Sequence, residues 1–174
     1  VPQNASDILI IDPATQTATR SAMGLSNMSS TVKWVGGALG ADGKIYCAPR
    51  DASDILIIDP ATQTATRSAM GLSDMSSANK WNGATLGADG KIYCTPFSDQ
   101  SFLIINTVTQ TATRSNLGLT NMTSVNKWNG GVLAKNGKIY GIPGNETTIY
   151  SIIPHSLVPA PSLKYCLSPH LNKR

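Results

Sequence analysis

Three Lys-Trp dipeptides carry the side chains best suited to ligand chemistry: Lys33-Trp34, Lys80-Trp81 and Lys127-Trp128. They recur every 47 residues, and Asn82 and Asn129 follow two of them. An indole beside an ammonium and an amide can stack on a sugar ring or anchor a peptide. A tryptophan at a fixed place in a repeat more often packs in the interior between blades, and that reading is the favoured one. Arg20, Arg67 and Arg114 form a second recurring set. They are expected on an outer strand as solvated charges that discourage edge pairing.

Residues for bond-making chemistry are sparse. General acid–base work needs His, Glu, Asp, Lys or Tyr at a tuned pKa. The two histidines, His155 and His170, lie only in the C-terminal stretch, and Glu146 is the single glutamate. The recurring aspartates sit in turn sequences: Asp42 and Asp89 precede glycine, while Asp12 and Asp59 precede proline and give way to Asn106 in the third copy. No G-x-S-x-G elbow, P-loop, dinucleotide fingerprint or C-x-x-C is present. The expectation is a protein that is not an enzyme, with no catalytic residue, no metal and no cofactor.

What must position these residues is an internal repeat. Residues 5–51 and 52–98 agree at 38 of 47 positions, and residues 52–98 and 99–145 at 25 of 47. A fixed period of 20 to 50 residues marks a solenoid, propeller or array. In the middle copy, Asp54-Ile55-Leu56-Ile57-Ile58-Asp59 is a β-branched run without polar alternation, as in a strand buried on both faces. Pro60-Ala61-Thr62 breaks it, and Gln63-Thr64-Ala65-Thr66-Arg67 alternates polar and small residues like an outer strand. After a polar connection, Trp81-Asn82-Gly83-Ala84-Thr85-Leu86 is a strand light in side chains. Asp89-Gly90 then turns the chain into Ile92-Tyr93-Cys94-Thr95, since a type I′ hairpin wants positive φ at both central residues. Four short strands per repeat fit a blade of a β-propeller. The glycines Gly36-Gly37, Gly83 and Gly130-Gly131 suit the innermost strand, where blades crowd the axis. A β-helix is the alternative, but its coils are shorter and lack a hairpin per turn.

Gly-Lys-Ile-Tyr, a gap, then Leu-Ile-Ile-Asp-Pro-Ala-Thr-Gln-Thr-Ala resembles the repeat of YVTN-type and NHL-type propellers, and more loosely of kelch-type blades. The resemblance covers residues 1–153 and implies an all-β propeller of three near-identical four-stranded repeats (5–51, 52–98, 99–145). Residues 146–153 begin a fourth. The chain opens at the end of a hairpin strand, so the blades are in permuted phase, and 154–174 reads as an irregular or disordered tail. These families include binding platforms, enzymes and partner-recruiting modules. The leading expectation is a non-enzymatic binding or scaffold propeller with a protein partner. A lectin-like propeller with a glycan partner and one Trp pocket per blade is the alternative. A degenerate lactonase-like member comes third: such propellers hold metal with acidic and Asn residues in the channel, where this chain offers Asn82 and Asn129.

Charge and cysteine usage narrow the partners. The net charge of +4 comes largely from Lys164, Lys173 and Arg174, because residues 1–153 hold 11 basic and 10 acidic residues. No clustered basic patch is present, so nucleic acid is not expected. No apolar run reaches the length of a membrane span, and no basic segment followed by an apolar one opens the chain. Cys47 and Cys94 share one repeat position, which is Gly141 in the third copy, and Cys166 is in the tail. They read as small interior residues. The compartment is left open, with an extracellular setting slightly favoured, and the sequons at Asn4, Asn27, Asn121 and Asn145 do not decide it. Three blades do not close a ring. A fragment, a two-chain ring of about six blades and an open array are the readings, and self-association is expected.

Overall fold

The computed structural model describes residues 1–26, 28 and 32–154. The predicted tail 155–174, with His155, His170 and Cys166, lies outside the described residues. Among the described residues every regular element is a strand. They are β1 (Ile8–Asp12), β2 (Thr17–Ser21), β3 (Trp34–Leu39), β4 (Ile45–Pro49), β5 (Ile55–Asp59), β6 (Thr64–Ser68), β7 (Trp81–Leu86), β8 (Ile92–Pro96), β9 (Phe102–Asn106), β10 (Thr111–Ser115), β11 (Trp128–Leu133), β12 (Ile139–Pro143) and β13 (Ser151–Ile152).

Sequential antiparallel pairing yields four sheets: β1-β2, β3-β4-β5-β6, β7-β8-β9-β10 and β11-β12-β13. The two complete sheets are four-stranded propeller blades, and the fold is the all-β array expected. Sheet and repeat window are out of phase by two strands. Each complete blade takes its inner pair from one window and its outer pair from the next. Ile152 and Ser151 pair with Ile139 and Tyr140, so the fourth copy of the Ile strand does form.

Glycine decides how closely the blades approach. A Cβ built on Gly36 would lie 2.7 Å from the Cα of Gly83, and one on Gly83 would lie 2.8 Å from the Cα of Gly130. Three successive inner strands therefore touch backbone to backbone. All three glycines have positive φ, from +70° to +104°. They form a bulge: between Trp34 and Gly37 β3 advances three residues while β4 advances two, and the other blades repeat this. An L-residue there would meet both the steric contact and the left-handed backbone.

The core lies between the blades. Tyr46, Ile55 and Ile57 of one blade pack with Trp81, Ile92, Leu103 and Ile105 of the next, closed by Met70 and Met75 from the β6–β7 connection. Backbone bonds tie the outer rims: the Ala65 N–H donates to the Met23 carbonyl and the Ala112 N–H to that of Met70, both at 2.9 Å. At the array's ends the same residue types lose their cover. Leu9 and Ile11 are 57% and 67% exposed, whereas their counterparts Leu56 and Ile58 are 0% and 5% exposed. Ile142 and Ile153 are uncovered at the other end.

Third-copy substitutions compensate one another. Tyr150 stands where Leu56 and Leu103 stand in earlier copies, and its ring lies edge-on to Phe102 and Trp128 at 4.9 and 5.0 Å. A Cβ at Gly141 would sit 1.7 Å from this ring, which explains why the cysteine of the other two copies is glycine here. Cys47 and Cys94 are buried free thiols, as expected.

Gly83→Ala should cost about 2–4 kcal/mol, read as a fall in the urea midpoint at unchanged slope. Gly141→Cys, although it restores the repeat's own residue, should cost about 3 kcal/mol or more, and Gly141→Cys with Tyr150→Leu should recover most of it in a double-mutant cycle. Burial pushes the Tyr150 hydroxyl up to about 12. A raised folded pKa gives stability that is complete below the unfolded value near 10 and is lost as pH rises through 12. Tyr150→Phe should therefore flatten the fall in stability between about pH 10 and 12 by roughly 3 kcal/mol.

Candidate functional site

The strand order places two kinds of connection on opposite faces of the array. One face carries the tight hairpins after β3, β7 and β11 and after β1, β5 and β9. The other carries the long β2–β3, β6–β7 and β10–β11 connections and the short β4–β5, β8–β9 and β12–β13 ones. The Lys-Trp pairs, Asn82, Asn129 and the three arginines lie at the second face or just beneath it, whereas Asp12, Asp42, Asp59 and Asp89 lie at the hairpins of the first.

The tryptophans are beneath it. Trp34 and Trp81 are fully buried and Trp128 is 5% exposed. Each indole N–H donates to the carbonyl that precedes the third strand of its own blade: Asp54 at 2.8 Å, Ser101 at 2.8 Å and Thr148 at 3.1 Å. The rings thus pin the inner strand to the third one. No ring face is open to solvent, which corrects the expectation of a Trp-centred sugar or peptide pocket on each blade. The interior reading describes all three.

The lysines are interior as well. Lys33, Lys80 and Lys127 are 2%, 1% and 0% exposed. The Lys80 Nζ donates to the carbonyls of Ser77 and Arg50 at 2.5 and 3.0 Å, and the Lys127 Nζ to that of Ser124 at 2.7 Å. Burial holds all three ammonium groups below their usual range. Carbonyl acceptors offset the desolvation of an ammonium that would otherwise be costly. Their backbones also stitch blades together: the Lys80 N–H donates to the Arg50 carbonyl and the Lys127 N–H to that of Phe97, both belonging to the preceding blade. The Lys-Trp pair is a structural rivet rather than an open binding group. Asn82 and Asn129 reach solvent and meet each other, the Asn82 amide donating to the Asn129 carbonyl oxygen at 3.0 Å. They are the predicted site residues that the structure brings together in the open. Among the described residues no cluster of three His, Cys, Asp or Glu could hold a metal.

Arg20 and Arg67 are exposed, as the solvated-edge reading expects, while Arg114 is half-buried, and two of the three also lie over an indole. Arg67 folds back over Trp34, 5.4 Å from the ring centroid, and Arg114 over Trp81 at 4.9 Å. The Arg67 Nε donates to both carboxylate oxygens of Asp54 at 3.0 Å, and Arg20 pairs with Asp7 at 2.7 Å. In the third unit the aspartate position is Ser101, and the Arg114 Nε is buried without an acceptor. A cleft of about 410 Å³ opens there, lined by Ser77, Lys80, Ser98, Asp99, Ser101 and Arg114. Residue types alone did not single out Arg114. The one available signal was the exchange of Asp7 and Asp54 for Ser101 while the arginine stayed. A larger cleft of about 770 Å³, lined by Tyr93, Ile104, Thr111 and Ile152 among others, borders β13, where complete blades carry a fourth strand.

No protein-family model and no curated protein sequence matches the chain. Solved structures do resemble it. A catalytically inactive virginiamycin B lyase from Staphylococcus aureus, with quinupristin, superposes with a TM-score of 0.65 at 16% identity, over 87% of this chain and 46% of that one. An auxiliary nutrient binding protein from Bacteroides ovatus gives 0.60 at 17% identity, over 87% and 34%. The extracellular domain of a hybrid two component system from B. thetaiotaomicron gives 0.55 at 17%, over 80% and 17%. The chain spans about half the length of the lyase structures it matches. At such identities the likeness speaks for the fold, and with the sheet order it makes this chain an array of β-propeller blades.

Proposed function

We propose that this chain is a non-enzymatic binding or scaffold propeller of the YVTN/NHL type, recognising a protein partner through the face that carries the long connections. One observation carries the reading. The first two copies differ at only nine positions, and the seven pairs described in both copies all fall on that face, on the innermost strand or on its neighbour. The differing pairs are Asn27/Asp74, Thr31/Ala78, Val32/Asn79, Arg50/Phe97 and Asp51/Ser98 in the connections. Val35/Asn82, Gly37/Ala84 and Ala38/Thr85 lie in the innermost strand, and Ala48/Thr95 lies beside it. The hairpin face and the outer strands are identical in the two copies. Drift alone would scatter the changes, whereas a surface that reads different parts of one ligand requires its blades to differ there. The adjacency of the Gly-Lys-Ile-Tyr strand (β4) to the Leu-Ile-Ile-Asp strand (β5) supports the family assignment.

The uncovered ends belong to the same reading: a second copy of the chain closes them. The β1-β2 pair is an outer half-blade without its inner strands, and the β11-β12-β13 sheet stops one strand short of the four-stranded unit that recurs inside the chain. The fully buried counterparts of Leu9 show what that seam would cover.

Ala78→Glu with Val125→Glu should abolish recovery of a specific partner from a cross-linked pull-down, while Val108→Glu on the hairpin face should leave it intact. Equal recovery by both variants would sink the assignment of the face, and selective binding on a glycan array would favour the carbohydrate alternative. Light scattering at micromolar concentration should report a particle heavier than the 18.3 kDa chain. Leu9→Lys with Ile11→Lys should return it to the monomer, and a wild-type monomer would count against closure by a second copy.

A further inference from the structure

Two of the three outer-strand arginines hold a carboxylate at hydrogen-bond distance, and the third has only a longer ion pair with Asp99 at 3.7 Å. The Arg67 guanidinium is clamped between the Trp34 ring and Asp54, whose oxygens take the Nε at 3.0 Å and an Nη at 2.9 Å. Arg114 is held over Trp81 in the same way, but Ser101 has replaced the aspartate. Of its donors, one Nη reaches the Asp74 carbonyl. The other lies 3.7 Å from Asp99, beyond hydrogen-bond length. An Asp99 oxygen is taken by the Ser101 N–H and Oγ at 2.9 and 2.6 Å. The Nε–H is left buried and unpaired. Arginine's planar fork is built to receive a carboxylate, and a buried donor without an acceptor is unfavourable.

We propose that the cleft beside Arg114 binds a carboxylate supplied from outside the chain, in the place that Asp54 fills beside Arg67. Its ligand is a small carboxylic acid or an acidic side chain of a partner peptide. The cleft's volume of about 410 Å³ admits either, and its charges are Lys80 and Arg114 against Asp99 alone. The Ser98 hydroxyl on its wall accepts from the Asn126 N–H and keeps its own hydrogen for the second oxygen. The Trp81 ring and the Asp74 carbonyl hold the guanidinium in place before a ligand arrives, so little ordering remains to be done on binding. The site lies on the recognition face proposed above and rests on that reading only for its biological role.

The test follows the Arg114 Nε–H resonance by proton–nitrogen correlation NMR of the full chain. Sodium acetate and, separately, N-acetyl-aspartyl amide are titrated against sodium chloride at equal ionic strength. Saturable movement of that resonance with either carboxylate and not with chloride is the expected result. Tighter binding of the aspartyl compound would assign the ligand to a peptide, and equal binding to a small acid. Ser101→Asp rebuilds the internal pair, so the variant should fold, shift the resonance to the position of Arg67, and weaken acetate binding at least about tenfold. A resonance that ignores both carboxylates, that chloride moves equally, or that still responds in Ser101→Asp overturns the proposal. Because no protein partner enters the experiment, that failure leaves the recognition face standing, and loss of partner recovery alone leaves the carboxylate site standing.

Discussion

Backbone contact along the axis sets everything else in this molecule. Gly36, Gly83 and Gly130 let successive inner strands meet at van der Waals distance, and the bulge at each glycine turns the strand so that the contact can repeat. Inner strands held that close bring the neighbouring sheets within reach of single side chains. Trp81 can then fill the gap between two blades, and the Met70 carbonyl can reach the next outer strand. Side-chain bulk on the axis would wedge the blades apart and uncouple all of these contacts at once.

Polar groups in the seam follow from the same closeness. An ammonium buried as completely as that of Lys127 would be intolerable in an apolar core. Here a carbonyl three residues earlier, at Ser124, turns inward to receive it. Lys80 adds a carbonyl from the previous blade, so the charge bridges two sheets. The polarity of this face is therefore mostly spent on holding the array together. What remains for a ligand is what the copies do not share: the Asn82–Asn129 contact, the varied connections and the arginine without its aspartate.

The repeat, the strands and the inner place of the glycine-rich strand were legible because each rests on local pattern: a β-branched run, an Asp-Gly turn, a fixed beat. The burial of Lys80 was not, since its acceptors at Ser77 and Arg50 come from two connections brought together only by blade packing. The permuted phase was legible, and hydrogen bonding from β4 to β5 across the window boundary at residue 51 is its structural form. Arg67 is the exposed edge charge its outer strand implies, but the sequence is silent on the Trp34 ring beneath it. Of the site residues, the interior place of the tryptophans was the favoured reading from their fixed position in the repeat, whereas the depth of the lysines was not legible.

The exchange of bulk between Gly141 and Tyr150 also bears on how such a gene can change. Copies 5–51 and 52–98 are alike enough in sequence for unequal recombination to delete or add one of them, although seam contacts such as Thr85 to Gly131 belong to one copy alone. A crossover that carried cysteine to position 141 without also returning leucine to position 150 would drive a ring into a side chain. Residues 141 and 150 must therefore change together, which couples the third copy to the strand that follows it.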